Sequence, residues 1–323
     1  MKLHWLGGAV AVCSAGMVAA QDVPAGYPAK PIRFIVPFQP GGGTDIVARL
    51  LADKLRASLG QTVIVDNRSG AGGIVGTQAA AKATPDGYTL LLGYTGSLTI
   101  NPHINRELPY QPLRDFDPVS LAVSSPFLLV LNPSVPATTV AELIALAKKR
   151  PDPLNYGSSG NGSLHHLGME WFKSISGINL VHVPYQGAQV FTAVISGEAA
   201  LSFASVVGML GNVKAGRARA IAITSRERTQ LLPGVPTMIE AGVPGFEAAN
   251  WFGVVVPHGT PRGVVNRLSV LVQSYMNTED MKKRLASEGG DPVGSTPEAF
   301  GNLIKIEHER WGRVVKISGA KVD

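Results

Sequence analysis

Two loops carry the residue types from which an anion site can be built. The first is Phe38-Gln39-Pro40-Gly41-Gly42-Gly43-Thr44-Asp45, and the second is Tyr156-Gly157-Ser158-Ser159-Gly160-Asn161-Gly162-Ser163. Each follows a short apolar run and opens a stretch of helical period. Glycine lets the backbone approach a ligand closely and take φ > 0. The first turn of a helix leaves N–H groups unpaired and carries about half a positive charge. Such a terminus suits a carboxylate or a phosphate. Two of them facing across a cleft would hold both ends of a small dianion without lysine or arginine. A Gly-rich turn ahead of a helix is also a common capping device. The recurrence of the pattern in both halves is the stronger signal. Neither loop ends in Gly-Lys-Ser/Thr or has dinucleotide glycine spacing, so no nucleotide is expected.

Other chemistry finds few residues to use. There is no Gly-x-Ser-x-Gly elbow. Ser158, Ser159 and Ser163 have His165 and His166 nearby, but adjacent helical positions face different sides. At most one histidine is therefore expected to reach the loop, and each reads as a polar helix-face residue. The seven histidines show no metal-binding spacing. No catalytic residue, metal or cofactor is predicted. Asp45 suits either a ligand contact or a first-turn acid favoured by the helix dipole. Trp171, Phe172, Trp251, Phe252 and Trp311 fall in periodic apolar segments and read as core. Phe38, Tyr94 and Tyr185 fall in loops after strands, where parallel sheets bind ligands.

The elements that must position these loops alternate. Strands are predicted at 32–37, 62–65 and 89–92, with helices from Thr44 and over 74–83; this βαβαβ order implies a parallel sheet. A second unit begins near Ser125, with strands at 127–131, 154–156, 180–183, 199–203 and 218–224. Its helices fall at 139–149, after Ser163, at 188–195 and at 206–215. Thr139 and Glu142 make a capping box. The Pro-rich stretch 232–244 reads as a return linker. A further strand at 251–256 and helices at 261–277 and from Thr296, with Pro297 at its first turn, are expected to rest on the first unit. Two α/β lobes follow: 21–124 with 237–323, and 125–236, joined by two crossovers.

The start of the chain reads as an export signal. Lys2 precedes an uncharged, mostly apolar stretch ending in Val18-Ala19-Ala20, which predicts cleavage after Ala20. Cys13, the single cysteine, falls inside it, so the mature chain is expected to hold without disulfides. Formal charge is +6, with charged residues only 16% of the total and no basic stripe interleaved with aromatics. That pattern argues against nucleic-acid binding.

A wider resemblance rests on Tyr27-Pro28-Ala29-Lys30-Pro31-Ile32-Arg33 and the run from Val36-Pro37-Phe38 through Thr44-Asp45. Further motifs are Asn67-Arg68, Gly70-Ala71-Gly72-Gly73, Pro85-Asp86-Gly87-Tyr88-Thr89-Leu90 and Asn101-Pro102. The second loop with His166-Leu167, Val181-His182-Val183-Pro184-Tyr185, Gly234-Val235-Pro236-Thr237, Trp251-Phe252-Gly253 and Arg310-Trp311 complete the series. In these the chain resembles the tripartite tricarboxylate transporter substrate-binding proteins, also called Bug proteins. The resemblance implies a type II periplasmic binding protein of the Venus-flytrap kind. It would be a monomer that captures a carboxylate and delivers it to transporter membrane subunits. A periplasmic sensor feeding a signalling receptor would share the same pocket. Resemblance and loops together give an expected ligand-binding set. From the first lobe it holds Phe38, Pro40, Gly41, Gly42, Gly43, Thr44, Asp45, Ala71, Thr95 and Ser97. From the second it holds Ser158, Gly160, Asn161, Ser163, His166, Tyr185, Gly187 and Ala204. Gln186 stands where family members often have Lys, and Phe203-Ala204-Ser205 lacks the acidic residue many carry. Both departures point to a mono- or dicarboxylate, aliphatic or aromatic, without an amine.

Overall fold

The apolar run Ile32–Val36 forms β1, buried along its length except at Arg33. In the computed structural model, which describes residues 23–41, 43–287 and 289–320, β1 lies between two parallel neighbours. These are β2 (Val63–Asn67) and β3 (Thr89–Tyr94). The crossovers carry α1 (Gly43–Leu59) and α2 (Ile74–Ala81). The expected signal segment with Cys13, and Gly42 of the first loop, lie outside the described residues.

After β3 the chain coils through Gly96–Ile100 and two short helices, α3 (Asn101–Ile104) and α4 (Pro112–Asp115). It then enters β4 (Phe116–Leu131), which is 16 residues long. The sequence reading begins this strand only at Phe127. Pro118 and Pro126 conceal the earlier part, since proline donates no ladder hydrogen bond. The sheet absorbs the irregularity with register shifts between Pro118 and Ser120 and between Leu121 and Val123.

Beyond β4 the predicted alternation appears as α5 (Val140–Lys149), β5 (Leu154–Ser158), α6 (Leu164–Ser176), β6 (Leu180–Pro184), α7 (Gln189–Ser196), β7 (Leu201–Ser205), α8 (Val206–Lys214) and β8 (Arg219–Ile223). Thr139 caps α5 by accepting from the Glu142 N–H, while the Glu142 carboxylate reaches back to the Thr138 N–H. β9 (Ala249–Pro257) returns antiparallel between β3 and the first part of β4. The last part of β4 pairs with β7 and β8. One sheet of order β2-β1-β3-β9-β4-β7-β5-β6 results, with β4 common to both halves.

The chain ends in α9 (Arg262–Met276), α10 (Glu279–Ser287), the short β10 (Asp291–Pro292) and α11 (Pro297–Ser318). Helices cover both faces of each half. Phe34, Leu51 and Leu268 fill one core of the first half, and Ile35, Leu91 and Trp251 the other. Tyr156, Phe172 and Phe203 belong to one core of the second half, and Leu128, Val194 and Met209 to the other. α11 spans the two halves. Its Phe300 and Ile304 pack with Trp251, whereas Trp311, Val314 and Val315 pack with Phe172. Between them the buried Glu307 carboxylate accepts from Trp251 Nε1 at 2.7 Å and Trp311 Nε1 at 3.3 Å. Burial lifts the pKa of Glu307 against these bonds and the nearby Arg310.

A Cβ built on Gly253 of β9 would run into the Phe300 ring. Gly253→Val is therefore expected to cost about 1–3 kcal/mol of unfolding free energy. The urea midpoint should fall with the m-value unchanged; a midpoint equal to the parent's would contradict this packing.

Candidate functional site

Both loops sit beyond the carboxyl ends of parallel strands, where such sheets leave a crevice. A cleft of about 580 Å³ opens there between the two halves. The first half contributes Phe38, the turn at Ala71, Gly72 and Ile74, then Tyr94, Thr95, Gly96, Ile100, Asn101, Ile104 and Asn105. The second contributes Phe127, Ser159, Asn161, Gly162, Ser163, Leu164 and His165, with Asn250 from β9 between them. No Asp, Glu, Lys or Arg is among these lining residues.

The second loop is tied down from behind. Ser163 is the N-cap of α6: its Oγ accepts from the His166 N–H at 3.3 Å and donates to the Gly160 carbonyl at 2.7 Å. Gly160 and Gly162 take φ of 123° and 72°, which residues with a Cβ rarely adopt. Ser158 Oγ, fully buried, meets Gly160 at 3.1 Å and His182 Nε2 at 2.6 Å. His166 Nδ1 accepts from the Gly162 N–H at 3.1 Å, which places its own ring proton on Nε2. The His166 and His182 rings stack at 3.9 Å, and Tyr156 stacks on His182 at 4.9 Å. His165 also reaches the loop, with Nδ1 2.8 Å from Ser159 Oγ. The expectation that only one of the two histidines could do so fails because the loop curls over the whole first turn of α6. What this scaffold leaves open is a set of donors. The N–H groups of Asn161, Leu164 and His165 donate to no group among the described residues; for Leu164 and His165, the first two residues of α6, the geometry of a helix start requires it.

The opposite wall is built differently. The Asp45 carboxylate, buried, accepts from the Gly41 N–H at 2.9 Å, Arg49 Nε at 2.8 Å and Asn67 Nδ2 at 3.0 Å. Burial opposes its ionisation, yet those three hydrogen bonds and the Arg49 charge hold its pKa below the usual carboxylate value. Asn67 also donates to the Phe38 carbonyl at 3.1 Å. Phe38 meets Tyr94 edge to face at 4.8 Å, and the Tyr94 hydroxyl donates to the Gly72 carbonyl. Ala71, beside it, has φ of 46°. Such strain in a non-glycine residue costs about 1–3 kcal/mol and clusters at ligand clamps. The Ala71 and Gly72 N–H groups also lack a partner among the described residues.

Of the expected ligand-binding residues, Phe38, Ala71, Thr95, Asn161 and Ser163 line this cleft. Ser158, Gly160 and His166 lie behind it as supports for the loop. Asp45 ties the first loop to α1, and Pro40 and Gly41 are exposed beside it. Gly43 is the first residue of α1. Thr44 faces an adjoining chamber of about 420 Å³ that shares Phe127 and Asn250 with the cleft. Ser97 is buried under Tyr94, its hydroxyl 3.2 Å from the Tyr94 carbonyl. Ala204 is buried within β7, the Tyr185 ring packs into the core on that side of the sheet, and Gly187 is exposed. Gly72, Asn101, Asn105, Ser159, His165 and Asn250 line the cleft without belonging to the expected ligand-binding set. Gly72 and Asn101 carried a signal as members of the Gly70–Gly73 and Asn101-Pro102 motifs, and Ser159 and His165 as members or neighbours of the second loop; Asn105 and Asn250 carried none.

The family model described as tripartite tricarboxylate transporter family receptor matches residues 47–320. Protein BugT of Bordetella pertussis is 37% identical over 313 residues, 96% of each chain. A solved structure of R. palustris Rpa4515 with adipate is 36% identical with a TM-score of 0.75, covering 92% of this chain and 100% of that one. MatC (Rpa3494) from Rhodopseudomonas palustris with bound malate is 31% identical with a TM-score of 0.70, covering 90% and 100%.

The stacked histidines give the loop a pH dependence. Burial, then the charge of the facing His166 and of Lys173 against Glu170, pushes His182 down to about 4. Burial also lowers His166. Unfolded histidine titrates near 6.5, at about which pH the unfolded chain begins to bind more protons than the folded one. Stability should therefore fall as the pH drops from about 6.5 towards 4. His182→Gln is expected to lose less melting temperature than the parent between about pH 7 and pH 4.5; equal losses would contradict the assignment.

Proposed function

This chain belongs to the tripartite tricarboxylate transporter receptor family, and on that premise we propose that it captures a small carboxylate in the periplasm and delivers it to transporter membrane subunits. In this reading residues 1–20 are removed after Ala20 and the mature protein works as a monomer. Its lobes are 21–124 with 237–323, and 125–236. They close by hinge motion about β4 and β9. It binds and releases its ligand without turnover; Ser158, the hydroxyl nearest a histidine, is buried and engaged with Gly160.

One observation carries the ligand class. Five residues that line the cleft, Ala71 and Gly72 on one wall and Asn161, Leu164 and His165 on the other, have backbone N–H groups without a partner among the described residues, and none of the described lining residues is Asp, Glu, Lys or Arg. Hydrogen bonds to a charged group contribute about 1.5–3 kcal/mol each. An anion therefore gains here, while an ammonium would be buried without a counter-ion. Neighbours solved with adipate and with malate support the same class. The proposed ligand is a mono- or dicarboxylate without an amine. Phe38, Ala71, Thr95, Asn161 and Ser163 touch it, and Ser158, Gly160 and His166 hold the loop in shape.

Adipate at a hundred times its dissociation constant should add about 2.7 kcal/mol of stability, and aspartate at equal concentration none. Leu164 is the first residue of α6, a position that tolerates proline. Leu164→Pro deletes one free donor and should weaken adipate about tenfold while the unliganded protein stays folded. Calorimetric titration of parent and variant checks this; tight aspartate binding, or undiminished adipate affinity in the variant, would overturn it.

A further inference from the structure

Among the described residues His165 is the one histidine lining the cleft, and none of the others lining it can become cationic. Its Nδ1 is engaged with Ser159 Oγ. Phe127 of β4 meets its ring edge to face at 4.8 Å, and Phe191 of α7 lies at 6.3 Å. Its own backbone N–H and that of Leu164, at the start of α6, and that of Asn161 in the loop before it have no partner among the described residues. An anion held by those donors arrives beside the imidazole, with Nε2 the ring nitrogen left to meet it.

We propose that His165 contacts the ligand carboxylate and takes up a proton as the anion binds, so that affinity rises as the pH falls. This rests on the carboxylate reading of the cleft. The empty site keeps the ring neutral: burial alone pushes His165 down to about 4, and neither the loop, β4 nor α7 presents a charged side chain that acts on it. A carboxylate in contact reverses that bias, because an opposite charge favours the protonated form. Between the free and the liganded pKa the complex then holds more protons than its separated parts. The step is a proton transfer from solvent to the ring, which leaves both nitrogens protonated, Nδ1 on the Ser159 Oγ side and Nε2 free to donate to the carboxylate, with no covalent bond made to the ligand. His166 and His182 stay out of it, since their polar contacts go to Gly162 and Ser158 behind the loop.

The test is calorimetry with adipate, malate and benzoate at about pH 7.5 and 5.5, each in two buffers of different ionisation enthalpy. The expected result at the lower pH is net proton uptake and an affinity about threefold higher or more. His165→Gln should lose both the uptake and the pH dependence; His258→Gln, at a histidine that pairs with Asp117 and does not line the cleft, should keep them. The ligand's own carboxyl would release protons on binding, so its contribution has the opposite sign and is common to both variants. Equal uptake in parent and His165→Gln, or binding that ignores pH, overturns the inference alone. No heat or thermal shift with any of the three overturns the carboxylate reading and this inference with it.

Discussion

The site depends on backbone N–H groups that the described residues leave unpaired. An orphaned donor shut away from water costs free energy, so these groups must face either solvent or a ligand. Asn161, Leu164 and His165 supply them on one wall, Ala71 and Gly72 on the other. Directing them requires a loop with only one shape. Ser158, Ser163, His166 and His182 all hold the turn at Gly160–Gly162, and none of their hydrogen bonds uses the N–H of Asn161, Leu164 or His165. The first loop follows the same logic with a carboxylate: Asp45 consumes the Gly41 N–H and ties the turn to Arg49 and Asn67.

Holding two such walls at a working distance falls to elements common to both halves. β4 pairs with β9 early and with β7 and β8 late, so the cleft opens over continuous strands. α11 adds a second connection, with Phe300 in one core and Trp311 in another. Glu307 lies between them, bonded to a tryptophan of each. A buried carboxylate is costly unless its oxygens are satisfied, and here the two indoles satisfy one oxygen while Arg310 approaches the other at 3.4 Å. Movement of one half against the other must pass through this cluster or bend around it.

Much of this was legible in the residues. Gly-rich and Ser-rich segments between an apolar run and a helical period mark loops that open helices, and both loops stand at the cleft or beside it. Asp45 is ambiguous in sequence because a first-turn acid and a ligand contact require the same residue type; only the structure shows its carboxylate meeting Gly41, Arg49 and Asn67. The early part of β4 was hidden by Pro118 and Pro126, whose missing N–H groups the sheet tolerates through shifted register. Asn105 and Asn250 carry no local pattern at all. They meet in the cleft only because β9 returns beside β3 and β4, a long-range pairing that no window of sequence displays. Thr95 and Ala71 came from family likeness, and the same likeness named Ala204 and Gly187, which lie away from the cleft.

The most direct measurement is amide hydrogen exchange at residues 159–165 with and without saturating adipate. Occupied donors exchange slowly, so marked slowing at Asn161, Leu164 and His165 is the expected result, with Ala71 and Gly72 slowed as the cleft closes. Adipate that binds while these amides go on exchanging as in the free protein would contradict the claim that unpaired backbone donors hold the ligand.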